Sequence, residues 1–152
     1  MKKKFGLWLP VILWAAIIFL FSANPDPYRF LPAAWRSAVP LPTLSNSTAA
    51  ELLGQLMHFL EYTVLAFLLA RALYKTASTH INIYTVFIAS LFAFSDEIHQ
   101  LYVPGRAFQV IDLFIDFLGI LLGLFLYTKL KLEPQRRKER HEEKNAKFFK
   151  EK

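Results

Sequence analysis

The sequence predicts an all-α membrane protein: four transmembrane helices in an up-down bundle, with both termini on the cytoplasmic side. Three observations predict it. The 152 residues are 55% hydrophobic, with 15 Phe and a positive mean hydropathy, a composition suited to lipid as a solvent. Four segments, Phe5 to Phe21, Gly54 to Tyr74, Ile81 to about Gln100 and Gln109 to Thr128, can each cross a hydrocarbon core of about 30 Å, which takes roughly 20 helical residues. With all four spanning, 15 of the 18 Lys and Arg lie on the side shared by the termini, and only Arg29, Arg36 and Arg106 lie on the other. Positive charge stays inside, so the termini are cytoplasmic. Runs such as WLPVILWAAIIFLF lack the period-two alternation of a membrane strand.

The first span follows Lys2, Lys3 and Lys4, as in a secretory signal. Its apolar run exceeds the usual h-region of about 7 to 15 residues, and Phe21-Ser22-Ala23 is a poor cleavage site, so it is read as uncleaved. The outer loop from Ser22 to Ser47 is rich in Pro, which favours extended and turned backbone. One short helix is expected at 33–38, with Trp35 and Arg36 at the interface. Thr48-Ala49-Ala50-Glu51 has the spacing of a capping box. Helix two therefore starts at Thr48 and, running to Lys75, is about 42 Å long, enough to begin above the outer surface.

Tyr74 and Tyr127 fall at the cytoplasmic ends of helices two and four, where aromatic anchors belong. Val103-Pro104-Gly105-Arg106 has Pro and Gly where a type II turn wants them, closing helices three and four into an antiparallel hairpin. The domain ends near 128. Residues 129–152 form a charged cytoplasmic tail with ten basic and five acidic residues, suited to anionic lipid headgroups. No nucleic-acid fold motif accompanies that charge, so no nucleic-acid partner is expected. The absence of Cys excludes disulfides, thiolate chemistry and Cys-ligated metal.

Polar residues collect where a bland turn would suffice. His58 and Glu61 share a face of helix two. Asp96, Glu97, His99 and Gln100 form one polar surface on helix three, and Asp112, Asp116, Gly119 and Gly123 draw a single stripe along helix four. Gly119-x-x-x-Gly123 admits another backbone, so both Asp point toward protein. Counting from the cytoplasmic anchors at about 1.5 Å per residue puts all three sets near the outer boundary. The expected pocket is His58, Glu61, Asp96, Glu97, Gln100, Arg106, Asp112 and Asp116, capped by the Pro-Gly turn.

An ionisable group in hydrocarbon costs about 2.5 to 3.5 kcal/mol, so such a gathering marks a site. A structural alternative is that Arg106 and the histidines neutralise the acids and pin the bundle. Five acids against one Arg and two His leave that pairing incomplete; some acids are protonated or a cation sits among them. His58-x-x-Glu61 and Asp96-x-x-His99 offer mixed N and O ligands, but neither matches a specific zinc motif, and no metal or cofactor is assigned. No catalytic triad, phosphate loop or dinucleotide fingerprint names a reaction.

HFLEY (His58, Glu61, Tyr62), the block DEIHQLYVPGRAFQVID, and then Asp116 and Gly119 resemble the VanZ-like family of small bacterial membrane proteins. The resemblance covers about residues 5 to 128, and one departure is Gln55, where family members often carry a basic residue. It implies a multi-pass protein of the bacterial plasma membrane that reduces susceptibility to glycopeptide antibiotics, notably teicoplanin. Membrane lipids, a lipid-linked cell-wall precursor or a glycopeptide would be its partners. Two alternatives stay open. One is an intramembrane enzyme acting on a lipid-linked precursor, with Glu97 or Asp112 as acid or base and Arg106 holding an anionic headgroup. The other is a proton-coupled carrier, for which four helices would need a homo-oligomer.

Overall fold

The computed structural model describes residues 2–25, 48–76 and 80–150, with the side chains of 2–5, 48–51, 132 and 143–150 left out. The short helix expected at 33–38, the interfacial Trp35 and Arg36, and the capping-box side chains fall outside the described residues. Among the described residues all regular structure is helical. The elements are α1 (Lys2–Ser22), α2 (Thr48–Thr76), α3 (Ile81–Gln100), α4 (Val110–Tyr127), a π turn (Thr128–Leu132) and α5 (Glu133–Lys150). Helices α2, α3 and α4 are long and apolar enough to cross a membrane, and α1 adds a shorter apolar stretch, Gly6–Ser22.

The bundle is built around α2, which packs on α1, α3 and most extensively α4. Contacts between α2 and α4 advance in the same direction along both: His58 meets Asp116, Phe59 meets Gly119, Thr63 meets Gly123, Phe67 meets Tyr127 and Tyr74 meets Gln135. The two helices are therefore parallel, which an up-down-up-down path requires of the second and fourth. Gly119 and Gly123 make the approach this close. A Cβ on Gly119 would lie 2.5 Å from the Phe59 carbonyl oxygen, and one on Gly123 would meet the Thr63 carbonyl oxygen closer still. Small residues are how lipid-embedded helices gain backbone proximity when no hydrophobic effect drives them together.

Helices α3 and α4 are joined by the expected turn. The Arg106 N–H donates to the Val103 carbonyl at 3.1 Å, and Gly105 has φ of 82°, the left-handed conformation that a type II turn demands. Burial is the reverse of a water-soluble protein's. Leu20, Ile83, Phe87, Val110 and Phe125 are exposed, whereas Asp96, Glu97, Gln100, Asp112 and Asp116 are buried. Such an apolar exterior on all four helices fits a hydrocarbon surround.

One feature departs from the sequence expectation. Tyr127 is buried, edge-on to Phe67 at 5.6 Å between ring centroids and 6.2 Å from Tyr74, so it is a packing residue and not a lipid-facing anchor. Beyond Tyr127, where α4 ends, the chain passes through the π turn into the helical tail α5. Pro134 supplies a physical reason for that turn. It lacks an N–H and its ring clashes with the carbonyl four residues back, which a locally widened helix relieves. The Tyr74 hydroxyl then donates to Gln135 Oε1 at 2.6 Å, carrying the α2–α4 alignment into the tail.

Candidate functional site

Each helix brings its polar residues to one end of the bundle. On α2, His58 and Tyr62 are one turn apart on the face that meets α4 and α3. On α3, Asp96, Glu97 and Gln100 occupy the last turn. On α4, Asp112 and Asp116 occupy the first two turns, above the glycines that hold α4 against α2. Because α3 and α4 form a tight hairpin, the end of one is the start of the other, and all three sets share one level.

His58 Nδ1 lies 3.1 Å from Asp116 Oδ1, both side chains buried. Glu97 Oε2 accepts the backbone N–H of Gln109 at 2.9 Å. Gln109 is the N-cap of α4, so the carboxylate satisfies one end-of-helix donor and sits where the helix dipole favours negative charge. Gln100 Nε2 donates to Asp96 Oδ2 at 3.3 Å. The cluster also interacts through its charges: His58 with Asp116, Asp112 and Glu61, and Glu61 with Arg106.

The pairing stops short of completion. Among the described residues, Asp96 Oδ1, Glu97 Oε1 and Asp116 Oδ2 are buried carboxylate oxygens without a hydrogen-bond partner, and the Tyr62 hydroxyl is equally unsatisfied. Arg106 was the expected neutraliser. It is half-buried, its Nε has no hydrogen-bond partner, and among the described residues it forms no ion pair with any acid. Of the structural alternative, His58–Asp116 is the ion pair that the cluster forms among the described residues. His99 stacks on Phe19 of α1 with centroids 4.2 Å apart, and its charge still acts on Asp96. Glu61 is the most peripheral of the acids, half-buried, with its carbonyl accepting the Trp14 indole N–H at 2.9 Å.

Seven of the eight expected residues thus lie in one connected polar region, with Arg106 at its edge. Reasoning from sequence left Tyr62 and Ser22 out of the pocket. Tyr62 is fully buried and one turn from His58, a spacing the sequence displays. Ser22, buried at the end of α1, had no such signal, because its place depends on how α1 packs. A separate apolar cleft of about 240 Å³ between α3 and α4 is lined by Ser90, Ala93, Phe94, Leu113, Phe117 and Ile120, and contains none of these ionisable groups.

Three buried side chains from three helices, His58, Glu97 and Asp116, each place one ligand-type atom within 4.8 Å of the others. The arrangement can hold a proton between acid and imidazole, bind a cation, or present hydrogen-bond acceptors to a polar headgroup. The chain matches no curated protein and no solved structure. It does match VanZ/LLP1 over residues 7–131, a range that takes in all four bundle helices and every residue of the cluster. With that match covering most of its length, the chain belongs to the VanZ/LLP1 family.

Proposed function

We propose that this protein sits in the bacterial plasma membrane with both termini cytoplasmic. In that setting it lowers the cell's susceptibility to glycopeptide antibiotics such as teicoplanin through its polar cluster, which faces the outer leaflet. The observation that carries this reading is the convergence of His58, Asp96, Glu97, Gln100, Asp112 and Asp116 at the end of the helices opposite Arg71, Lys75, Lys129 and Lys131. Under the positive-inside rule that end is external. There it meets the headgroup region, where lipid-linked cell-wall precursors present anionic and polar groups. Arg106, half-buried and in no ion pair among the described residues, supplies a cation for such a headgroup. Family membership supports the envelope role.

Orientation is testable directly because the chain has no Cys. A cysteine placed at Tyr102, which is 80% exposed beside the turn, should react with a membrane-impermeant thiol reagent in intact cells. One placed at Lys138 should react only after lysis. The reverse pattern would end the outward-facing assignment.

The functional test is the teicoplanin inhibitory concentration of a sensitive Gram-positive host expressing wild type, Glu97→Gln or Arg106→Ala at matched membrane levels. Wild type should raise it and both variants should return it toward the host value. A wild type without effect would overturn the antibiotic role, and fully protective variants would detach that role from the cluster.

A further inference from the structure

We propose that His58, Glu97 and Asp116 form a binding site for a divalent first-row metal ion, with Zn²⁺ the ion of first choice. This inference stands apart from the antibiotic reading and does not need it.

The geometry comes first. The three side chains come from three different helices, all are buried, and their ligand atoms lie within 4.8 Å of one another. Bonds from Zn²⁺ to nitrogen or oxygen are about 2.0 to 2.2 Å, so two ligands on one tetrahedral ion stand roughly 3.4 Å apart. His58 Nδ1 and Asp116 Oδ1, at 3.1 Å, are near that spacing already. Drawing Glu97 in takes a side-chain adjustment on the order of 1 Å.

The second observation is independent of the grouping. Glu97 and Asp116 have no exposed surface, yet among the described residues Glu97 Oε1 and Asp116 Oδ2 have no hydrogen-bond partner. A buried polar atom left unsatisfied carries its full desolvation penalty, and native structures seldom tolerate several together. The other oxygen of Glu97, Oε2, is held by the Gln109 N–H, whereas an ion between His58 Nδ1 and Asp116 Oδ1 would replace the direct contact those two atoms now make. Glu97 is thus oriented from one side with its second oxygen free, as metal-ligating carboxylates are.

Charge agrees with geometry. Two carboxylates and a neutral imidazole around a dication sum to zero, the state that a low-dielectric interior favours. One imidazole with two carboxylates suits Zn²⁺ or Mn²⁺. Mg²⁺ and Ca²⁺ prefer shells made wholly of oxygen. Three protein ligands would leave one position open on a tetrahedral ion.

The experiment uses untagged full-length protein purified in detergent, stripped with chelator and dialysed against Zn²⁺. Metal content by mass spectrometry should reach about one equivalent per chain. Glu97→Gln, which changes a single atom, should reduce retained zinc by more than about tenfold, as should His58→Ala. Glu133→Gln, on the exposed tail, should retain it. Binding should weaken as pH falls, because protons compete for all three ligands. Co²⁺ loaded into wild type should give the visible absorption of a four-coordinate site, a readout that needs no variant to fold. Wild type that retains neither Zn²⁺ nor Mn²⁺ would overturn the proposal, as would stoichiometric zinc that survives both His58→Ala and Glu97→Gln.

Discussion

Gly123→Ala is expected to destabilise the bundle by about 3 kcal/mol, the upper end of what overpacking costs. The added methyl meets the Thr63 carbonyl oxygen and lies 3.0 Å from the Ala66 Cβ. A carbonyl locked in a helix cannot rotate aside as a side chain can, so α2 and α4 must part. Between helices in lipid that separation is not offset by a hydrophobic effect, because the tails are as apolar as the side chains they replace. It also carries His58 away from Asp116, which lies about two turns from Gly123. Gly6→Ala is the control, since nothing lies within 4 Å of that position. Unfolding of both variants in mixed micelles by titration with denaturing detergent measures the difference. A Gly123→Ala protein as stable as Gly6→Ala would mean that the close helix approach contributes nothing.

The fold was legible because the signals that specify a membrane helix are local and strong. A run of about 20 apolar residues admits one structure in lipid, where backbone groups must bond within their own segment. Hence the limits of α3 and the Pro104-Gly105 turn agree with expectation to within a residue. The glycine stripe on α4 gave the buried face of that helix and, with it, the direction of Asp112 and Asp116. Less legible was anything set by partners distant in sequence. Tyr127 has the position of an interfacial anchor, and only the parallel packing of α2 on α4 turns it inward against Phe67 and Tyr74.

The site was readable as a set of residues, though not as a set of bonds. Spacing placed His58 with Glu61 and Asp96 with His99, because residues three apart share a helix face. Gln100 with Asp96 is a bond of that kind within α3, but His58 reaches Asp116 on another helix and Glu97 reaches the Gln109 backbone. His99 stacks on Phe19, on a helix whose packing no local pattern reports. Arg106 has the charge to neutralise an acid, but its place after a type II turn leaves it at the rim.

The His58–Asp116 contact makes an asymmetric prediction. Asp116 has no exposed surface, and Asp112 and Asp96 act on it as like charges while His58 acts as the counter-charge. Removing the imidazole leaves a buried carboxylate beside two others. Removing the carboxylate leaves His58 with Asp112 and Glu61 still nearby. In chelator-treated protein, His58→Leu should therefore cost about 3 to 5 kcal/mol, the usual penalty for stripping one partner from a buried pair. Asp116→Asn, which keeps the side chain's size, should cost less. The double variant His58→Leu with Asp116→Asn should recover more than half of the His58→Leu loss, since the stranded charge is gone. Unfolding midpoints in the same micelles decide it. A double variant no more stable than His58→Leu alone would show that the histidine acts by packing, not by balancing charge. If recovery occurs, the cluster's polar character is not required for the fold, and its persistence in a lipid-facing bundle is then an argument for function.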